Sequence, residues 1–254
     1  AFDLDALVIQ HAEDNELSKD GQVNDGIIAT KLGLQGIPDY AEKIIIERDL
    51  TLLEDFNCRY HIAQISSEKS VEIIKNRKEI VKFTTGVSIN NLSLNQNDIG
   101  DFRTFLKLSP PLRTEEDRLS LIKGINHNLI DVIVSDHKPE DEESKRLTFS
   151  QAATGASGIE TLLPLALELF HNGSIKLNKI IECLTSNPAK ILKIDKGSLS
   201  VGSDADLCIV DIYKPWIVKK EKMISKSKNT CIEDKKMQGK VLSTFINGVE
   251  LFKC

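Results

Sequence analysis

Residues 59–86 read RYHIAQISSEKSVEIIKNRKEIVKFTTG, and this stretch decides the fold class. Apolar runs over Arg59–Ser66 and Ile80–Gly86 predict two strands. Between them, Ser67 precedes an amphipathic run that ends at Arg77, which predicts a helix with a serine cap. A strand, a helix and a second strand in this order are typical of a βα unit on a parallel sheet.

The same alternation continues on both sides of this unit. Further apolar runs predict strands over Ala6–Ala12 and Ile130–Ser135, so the sequence predicts four parallel strands. Thr114 and Asp117 have the spacing of a capping box, which predicts a helix start at this point. The helical patterns cover Tyr40–Phe56, Ser67–Arg77, Glu115–Asn126, Ile159–Asn172, Leu177–Leu184 and a short stretch opened by Asn187-Pro188.

The carboxyl-terminal part of the chain has a different pattern. From Gly197 onward it consists of short β-rich pieces, and Asn247-Gly248 is a strong hairpin turn. We therefore expect an α/β domain over residues 1–196 and a β module over residues 197–254. The strands predicted in this module are Ala205–Val210, Val241–Ile246 and Val249–Phe252.

Four strands are half of the eight in a (β/α)8 barrel, which by itself takes about 250 residues. The chain also starts at Ala1 and enters a predicted strand within a few residues. We therefore expect it to be the carboxyl-terminal portion of a longer protein. An incomplete barrel leaves an open strand edge on each side, so we expect pairing with the other half of the barrel or with another subunit.

Composition excludes several classes of protein. The 33 Lys and Arg against 38 Asp and Glu are spread along the chain and give a net charge of −5, which argues against a nucleic-acid partner. No apolar run approaches the roughly 18 residues of a membrane helix, and the start lacks a signal peptide. The five cysteines are odd in number and never form a C-x-x-C pair, which predicts a reducing, cytoplasmic location.

Polar side chains follow three of the predicted strands, and the active site of a parallel barrel lies at the carboxyl ends of its strands. These residues are His11 with Glu13 and Asp14, then Gln64, then Asp136. Asp136 is either a general base or metal ligand held by a rigid strand, or a capping aspartate of the next loop. His11 has the same alternative of a structural role.

Two loop segments have alternatives of the same kind. The segment KLSPPLR, Lys107–Arg113, either presents Arg113 to an anionic substrate or forms a plain turn before a helix. Gly155 and Gly158 either allow the backbone to approach a ligand or serve a tight turn. The charged stretch Lys219–Lys228 is expected to be a solvated connection.

His61 lies in the middle of a predicted strand. Strand side chains alternate between faces, so His61 is expected on the face opposite to Gln64. It is therefore not expected to replace Gln64 in a site.

Seven segments in this order resemble the dihydroorotase family of the metal-dependent amidohydrolase superfamily. The resemblance implies the C-terminal half of a (β/α)8 TIM-type amidohydrolase barrel followed by the C-terminal part of a small β-sandwich. The segments are HAEDNEL (11–17), YHIAQISSEKSV (60–71), LSLNQNDIGDFRTFLKLSPPLRTEEDR (92–118), IDVIVSDHKPEDEESKR (130–146), ATGASGIETLLPL (153–165), LTSNPAKIL (184–192) and GSLSVGSDADLCIVD (197–211).

The resemblance implies a zinc site. It assigns His11 and Asp136 as metal ligands and Asp136 as the catalytic proton shuttle. Gln64 stands where the family has its second metal histidine, and a neutral amide oxygen is a poorer zinc donor than imidazole. The family's early histidine pair and its bridging ligand are absent from this chain, so one zinc ion or none is expected.

The resemblance also implies four substrate-binding positions. Thr154 and Gly155 would contact the pyrimidine ring through the backbone. Ser109 stands where the family has a substrate-binding asparagine. Glu140 stands where a histidine meets the substrate carboxylate, and a glutamate there would repel that group.

Two functions follow from the resemblance and these departures. The first is a dihydroorotase-type enzyme that interconverts N-carbamoyl-L-aspartate and dihydroorotate in pyrimidine biosynthesis. The second is a metal-free, inactive relative that acts as a structural partner of aspartate carbamoyltransferase. The partners expected are therefore a small-molecule substrate, the other half of the barrel, and a second subunit or the transferase.

Overall fold

The computed structural model describes residues 1–56 and 58–254. The strands are β1 (Leu7–Gln10), β2 (Val23–Asn24), β3 (Gly36–Ile37), β4 (Arg59–Ile65), β5 (Thr84–Ser88), β6 (Val132–Val134), β7 (Leu207–Ile217), β8 (Lys236–Ile246) and β9 (Val249–Lys253). The α-helices are α1 (Ile27–Leu32), α2 (Tyr40–Asp55), α3 (Glu68–Arg77), α4 (Ile89–Ser93), α5 (Glu115–Asn126), α6 (Glu142–Lys145), α7 (Ile159–His171), α8 (Leu177–Leu184) and α9 (Ser186–Leu192).

A parallel four-stranded sheet in the order β1-β4-β5-β6 organises the first part of the chain, as the sequence predicts. Helices α2, α3 and α5 pack against one another along it. The strands supply apolar side chains to the core because a parallel sheet is covered by its crossover helices. Fully buried members of this core include Leu50, Ile62, Ile65, Ile74, Val87, Leu121 and Ile125.

The third predicted strand is displaced along the chain. The prediction was Ile80–Gly86, whereas β5 runs from Thr84 to Ser88. The backbone N–H groups of Ile80 and Val81 still donate to the carbonyl of Arg77 at the end of α3, and Ile80 is 62% exposed. The apolar pair that suggested a strand start therefore belongs to the exit from a helix, and Ser88 becomes the last residue of the strand.

The predicted capping box at the start of α5 is confirmed. The Thr114 hydroxyl accepts a hydrogen bond from the Asp117 N–H at 3.1 Å, and the Asp117 carboxylate accepts one from the Thr114 N–H at 3.1 Å. Asp117 also accepts a bond of 2.8 Å from the backbone N–H of Glu68 at the start of α3. One side chain thus satisfies orphan donors on two helices and fixes their relative position.

The tail of the chain forms an antiparallel sheet in the order β7-β8-β9. Asn247 and Gly248 both have positive φ and connect β8 to β9, which confirms the predicted hairpin. β7 and β8 are longer than predicted, and β7 tolerates Pro215 because it is an edge strand. The boundary between residues 196 and 197 remains a prediction, although the change from helices to strands falls in the stretch that connects α9 to β7.

The connection between β7 and β8 differs from the solvated segment that the charge pattern predicts. Within the predicted segment Lys219–Lys228, the residues Lys219–Lys222, Ile224 and Lys226 are exposed as expected, but Met223 is buried. Asn229–Ile232, which follow the predicted segment, are also buried. We call residues 223–232 the strap, because this segment packs on the loops that follow β6. A high density of charged residues in a sequence therefore does not show which of its residues pack against the rest of the protein. No helix among the described residues has the length and hydropathy needed to cross a membrane.

Candidate active site

Asp136 lies at the carboxyl ends of the parallel strands, two residues after β6. Its carboxylate accepts hydrogen bonds from Gln64 Nε2 at 3.1 Å and from the Ser88 hydroxyl at 3.3 Å. Three neighbouring strands, β4, β5 and β6, therefore contribute to one cluster. Burial raises the pKa of Asp136, and the two hydrogen bonds oppose that shift in part.

Asp136 also has a backbone conformation that non-glycine residues rarely adopt. Its φ is +49°, in the left-handed region. The neighbouring packing is tight at Gly158, where an added Cβ would lie 2.2 Å from the Ser135 carbonyl oxygen. Gly158 therefore serves close backbone packing, and its N–H donates to His137 Nδ1 at 3.1 Å.

The Gln64 side chain uses only one of its two polar atoms in a hydrogen bond among the described residues. Its amide nitrogen donates to Asp136, whereas its amide oxygen is buried and has no hydrogen-bond partner among the described residues. His61 is turned to a different environment, where its Nδ1 lies 2.8 Å from the Thr84 hydroxyl. Burial lowers the pKa of His61. Gln64, and not His61, contacts Asp136, as the alternation of strand side chains predicts.

His11 lies directly after β1 and forms a second polar cluster. Its Nε2 is 3.2 Å from a Glu13 carboxylate oxygen and 3.2 Å from the Ser109 hydroxyl, and the same hydroxyl donates to Glu13 at 3.2 Å. The hydrogen bond with Glu13 raises the pKa of His11, and the bond to His11 lowers the pKa of Glu13 to about 2. Asp14 caps the backbone N–H groups of Glu16 and Leu17 and is structural.

The described residues contain no group of three or more His, Cys, Asp or Glu side chains that could hold a metal ion. His11 and Asp136 supply two donors, and a catalytic zinc site normally has three protein ligands. The unpartnered oxygen of Gln64 is a weak third donor. These residues do not by themselves make a zinc site.

The loop that contains Thr154 and Gly155 is held from several sides. The Gly155 N–H donates to the Lys107 carbonyl at 2.9 Å, and the Gly155 carbonyl accepts from Lys145 Nζ at 2.9 Å and Asn229 Nδ2 at 3.2 Å. Both backbone polar groups of Gly155 are thus used within the chain. Thr154 is half-buried and is the more accessible of the pair.

Two other predicted site residues differ in their surroundings. Arg113 is buried, and its guanidinium donates to Ser66, Asn24 and the Ile37 carbonyl, so it braces the fold and does not face a ligand. Glu140 is half-buried and is held by its backbone, because its N–H and its carbonyl both bond to the strap.

Sequence reasoning missed three residues that contact the predicted positions. Ser88 was missed because the third strand was placed too early in the chain. Lys145 and Asn229 were missed because each lies in a charged stretch with no periodic pattern, and only their buried hydrogen bonds reveal them. A local signal existed for Ser88 alone, in the alternation of the run TTGVS.

Comparison with known proteins gives the family of the chain. The Amidohydrolase family model matches residues 1–251. The chain is 43% identical over 247 residues to a dihydroorotase of Ehrlichia canis (strain Jake), which covers 96% of this chain and 55% of that protein. It is 40% identical over 251 residues to a dihydroorotase of Thermoanaerobacter sp. (strain X514), which covers 98% of this chain and 58% of that protein.

Solved structures show the same fold. A dihydropyrimidinase from Brevibacillus agri NCHU1002 matches with a TM-score of 0.87 and 23% identity, over 99% of this chain and 58% of that one. An L-hydantoinase from Arthrobacter aurescens matches with a TM-score of 0.85 and 26% identity, over 98% of this chain and 57% of that one. The chain thus spans a little more than half the length of these proteins. Because the family model matches residues 1–251 and the parallel α/β fold is shared, the chain belongs to the amidohydrolase family.

Proposed function

We propose that this chain is the C-terminal half of a (β/α)8 amidohydrolase barrel, over residues 1–196, followed by the C-terminal part of a β-sandwich, over residues 197–254. The coverage of 55% to 58% of each relative supports this arrangement. The four parallel strands are half of a closed barrel, and their outer edges at β1 and β6 are open for pairing.

The activity that we propose is that of a dihydroorotase-type cyclic amide hydrolase, which interconverts N-carbamoyl-L-aspartate and dihydroorotate in pyrimidine biosynthesis. The observation that carries the proposal is the position of Asp136. It is a half-buried carboxylate at the carboxyl ends of the strands. It is oriented by Gln64 and Ser88, and it lies in a chain 43% identical to a dihydroorotase.

Hydrolysis of a cyclic amide requires one proton to be moved between two atoms. Water loses a proton as its oxygen bonds to the ring carbonyl carbon, and the ring nitrogen gains a proton as the C–N bond breaks. We assign both transfers to the Asp136 carboxylate, which accepts the first proton and returns it to the nitrogen. Gln64 and Ser88 hold this carboxylate in one orientation through their N–H and O–H donors.

Zinc is part of the proposal only for the complete protein. His11 and Asp136 would be this chain's ligands, and the remaining donors would come from the other half of the barrel. When bound, zinc polarises a carbonyl and lowers the pKa of a water molecule. Gln64→His is expected to raise the zinc retained per complete protein, measured by elemental analysis, because imidazole is the better donor.

The substrate positions of the proposal are Ser109, Thr154, Gly155 and Glu140. Ser109 and Thr154 are half-buried, and the Ser109 hydroxyl lies beside His11 and Glu13. Both backbone polar groups of Gly155 are bonded within the chain, so Gly155 shapes the loop. Glu140 would repel an anionic carboxylate. Glu140→His is therefore expected to lower the KM for dihydroorotate.

The test is dihydroorotate hydrolysis by the complete protein, followed on a sample whose zinc content is measured. We expect turnover that Asp136→Asn abolishes and Asp141→Asn leaves unchanged. Asp141 is a matched control because it lies in the same loop and caps α6, a role that asparagine fills equally well. Absence of turnover with zinc bound would contradict the proposal.

A further inference from the structure

The strap is fixed to the α/β part of the chain at both of its ends. The backbone N–H groups of Ile224 and Ser225 each donate to the Glu160 carboxylate at 3.0 Å, at the first turn of α7. Near the other end, the Cys231 thiol donates to the Phe105 carbonyl at 3.3 Å. A segment tied at two points holds its central residues in a defined place.

Asn229 is the central polar residue of the strap, and only 3% of it is exposed. Its Oδ1 accepts from the backbone N–H of Glu140 at 3.4 Å and from the Ser157 hydroxyl at 3.3 Å. Its Nδ2 donates to the Gly155 carbonyl at 3.2 Å, and its own carbonyl accepts from the Ser157 N–H at 3.0 Å. One buried amide therefore contacts two loops at once.

These two loops are otherwise joined over a short distance. His137 and Ala156 form an isolated parallel bridge, and the Lys138 N–H donates to the Ala156 carbonyl at 2.9 Å. Beyond that bridge, the hydrogen bonds of Glu140 among the described residues go to the strap, since Asn229 Oδ1 accepts from its N–H and the Ser227 hydroxyl donates to its carbonyl at 2.5 Å. Lys145 Nζ also donates to the Gly155 carbonyl, but among the described residues Asn229 is the side chain that bonds to both Glu140 and Gly155, so it contributes directly to their spacing.

We propose that Asn229 is a positioning residue that sets the distance between the loop of residues 137–141 and the loop of residues 153–157, and thereby the recognition of the ring substrate. This inference rests on the proposed function, because it takes both loops to face that substrate. It makes the β7–β8 connection part of the site, although its residues lie outside the barrel strands.

A side-chain amide is suited to holding two loops at a fixed distance. It offers an acceptor and a donor in one rigid plane, so it can bond a backbone N–H on one side and a carbonyl on the other. Buried backbone groups that lose such a partner are costly to leave unpaired. Loss of the amide therefore favours movement of both loops.

The experiment compares Asn229→Ala, Asn229→Asp and Ser227→Ala with Lys226→Ala, an exposed neighbour in the strap. Amide hydrogen exchange of the peptides that cover residues 137–141 and 153–157 is measured on the complete protein, together with the KM and kcat for dihydroorotate. In Asn229→Ala we expect exchange to rise about fivefold or more in both peptides and KM to rise about tenfold, the effect of one lost buried hydrogen bond, with kcat within about twofold.

The conservative variants separate the two contacts. Asn229→Asp keeps the acceptor for Glu140 but lacks the N–H for Gly155, so exchange should rise mainly in residues 153–157. Ser227→Ala should raise it mainly in residues 137–141. These two variants also decide the matter if Asn229→Ala does not fold.

Unchanged exchange in both peptides, or an equal change in Lys226→Ala, would overturn the positioning role. A kcat that falls while KM stays constant would overturn the assignment to substrate recognition. If the unmodified complete protein does not hydrolyse dihydroorotate, the proposed function fails and recognition falls with it, whereas the exchange data still decide whether Asn229 holds the loops.

Discussion

Two carboxylates flank the carboxyl end of β4, the buried Glu42 and the half-buried Asp136, and their surroundings differ. Glu42, in α2, accepts hydrogen bonds from the backbone N–H groups of Ser66 and Ser67 and from the hydroxyls of Ser66, Ser67 and Ser70. Among the residues that the structure describes, Asp136 accepts two hydrogen bonds, from Gln64 and Ser88. A carboxylate has about four acceptor positions, so Glu42 is saturated and Asp136 is not.

The difference separates a structural carboxylate from the one that we propose to be reactive. Glu42 joins α2 to the start of α3, and Arg113 completes the same network through the Ser66 hydroxyl. Its oxygens have no capacity left for a ligand. Asp136 keeps open acceptor positions at the strand ends, and burial raises its pKa, which suits a group that takes and returns a proton.

Asp136→Asn is expected to have the largest effect on the proposed activity. The amide keeps the shape of the carboxylate but cannot accept a proton, so turnover should fall on the order of 10³-fold while the unfolding free energy changes little. Steady-state hydrolysis and urea denaturation of the complete protein measure the two quantities. Retained turnover would show that the unsaturated carboxylate is not the reactive one.

Glu42→Ala should have the opposite signature. Removal of the acceptor leaves several buried N–H and O–H donors unpaired, and we expect a loss of about 3 kcal/mol in unfolding free energy. Glu47→Ala, on an exposed position of the same helix, should change it by less than about 0.5 kcal/mol. If urea denaturation gives the same loss of unfolding free energy for both substitutions, the hydrogen bonds to Glu42 do not stabilise the fold as we expect.

Lys145 is a buried cation that can be compared with these carboxylates. Among the described residues, its ammonium group donates to two carbonyl oxygens and to no carboxylate. Burial lowers the pKa of Lys145 to about 8. Between that value and the ordinary one near 10, the unfolded chain binds more protons, so the unfolding free energy should rise with pH by at most about 1.4 kcal/mol per unit. Below pH 8 the cost of burying the charge is fully present.

The measurement is the difference in unfolding free energy between the unmodified chain and Lys145→Met from pH 7 to 10. The nearby groups are Glu140, Cys231, Lys107 and Lys138, and they are common to both chains. The difference should move in favour of the unmodified chain as pH rises. A difference that does not change with pH would mean that Lys145 has no lowered pKa.

Ser88→Ala is the smallest of the expected effects. Loss of one of two donors to Asp136 should reduce turnover about tenfold, since a single hydrogen bond to a charged group is worth roughly 1.5 kcal/mol. Ser93→Ala is the matched control, because the Ser93 hydroxyl has no partner among the described residues. Equal turnover in both variants would show that Ser88 does not orient the carboxylate.

The sequence predicted those features that depend on near neighbours. The bounds of α5 and α8, the Thr114 capping box and the Asn247-Gly248 hairpin were all predicted, because periodicity, capping and turn chemistry act over a few residues. The sequence also predicted Gln64 and Asp136 as site residues, because each follows an apolar run that predicts a strand. The structure brings these two side chains into contact.

The remaining features depend on distant partners. Arg113 was considered for an anionic substrate, but it bonds to Asn24 and Ile37, which lie 89 and 76 residues away. Asn229 contacts residues 72 to 89 positions away. No local pattern carries such information. β5 was misplaced for a different reason, because an apolar pair at a helix exit looks like the start of a strand.

The order of the parallel sheet, β1-β4-β5-β6, follows the order of the chain. Each strand therefore pairs with a strand of this sheet that has already left the ribosome, and none has to be inserted between two finished neighbours. A chain with this topology can extend its sheet one edge at a time during synthesis. The strap is made after both loops, so the loops around Glu140 and Gly155 acquire their final spacing only after residues 223–232 have emerged.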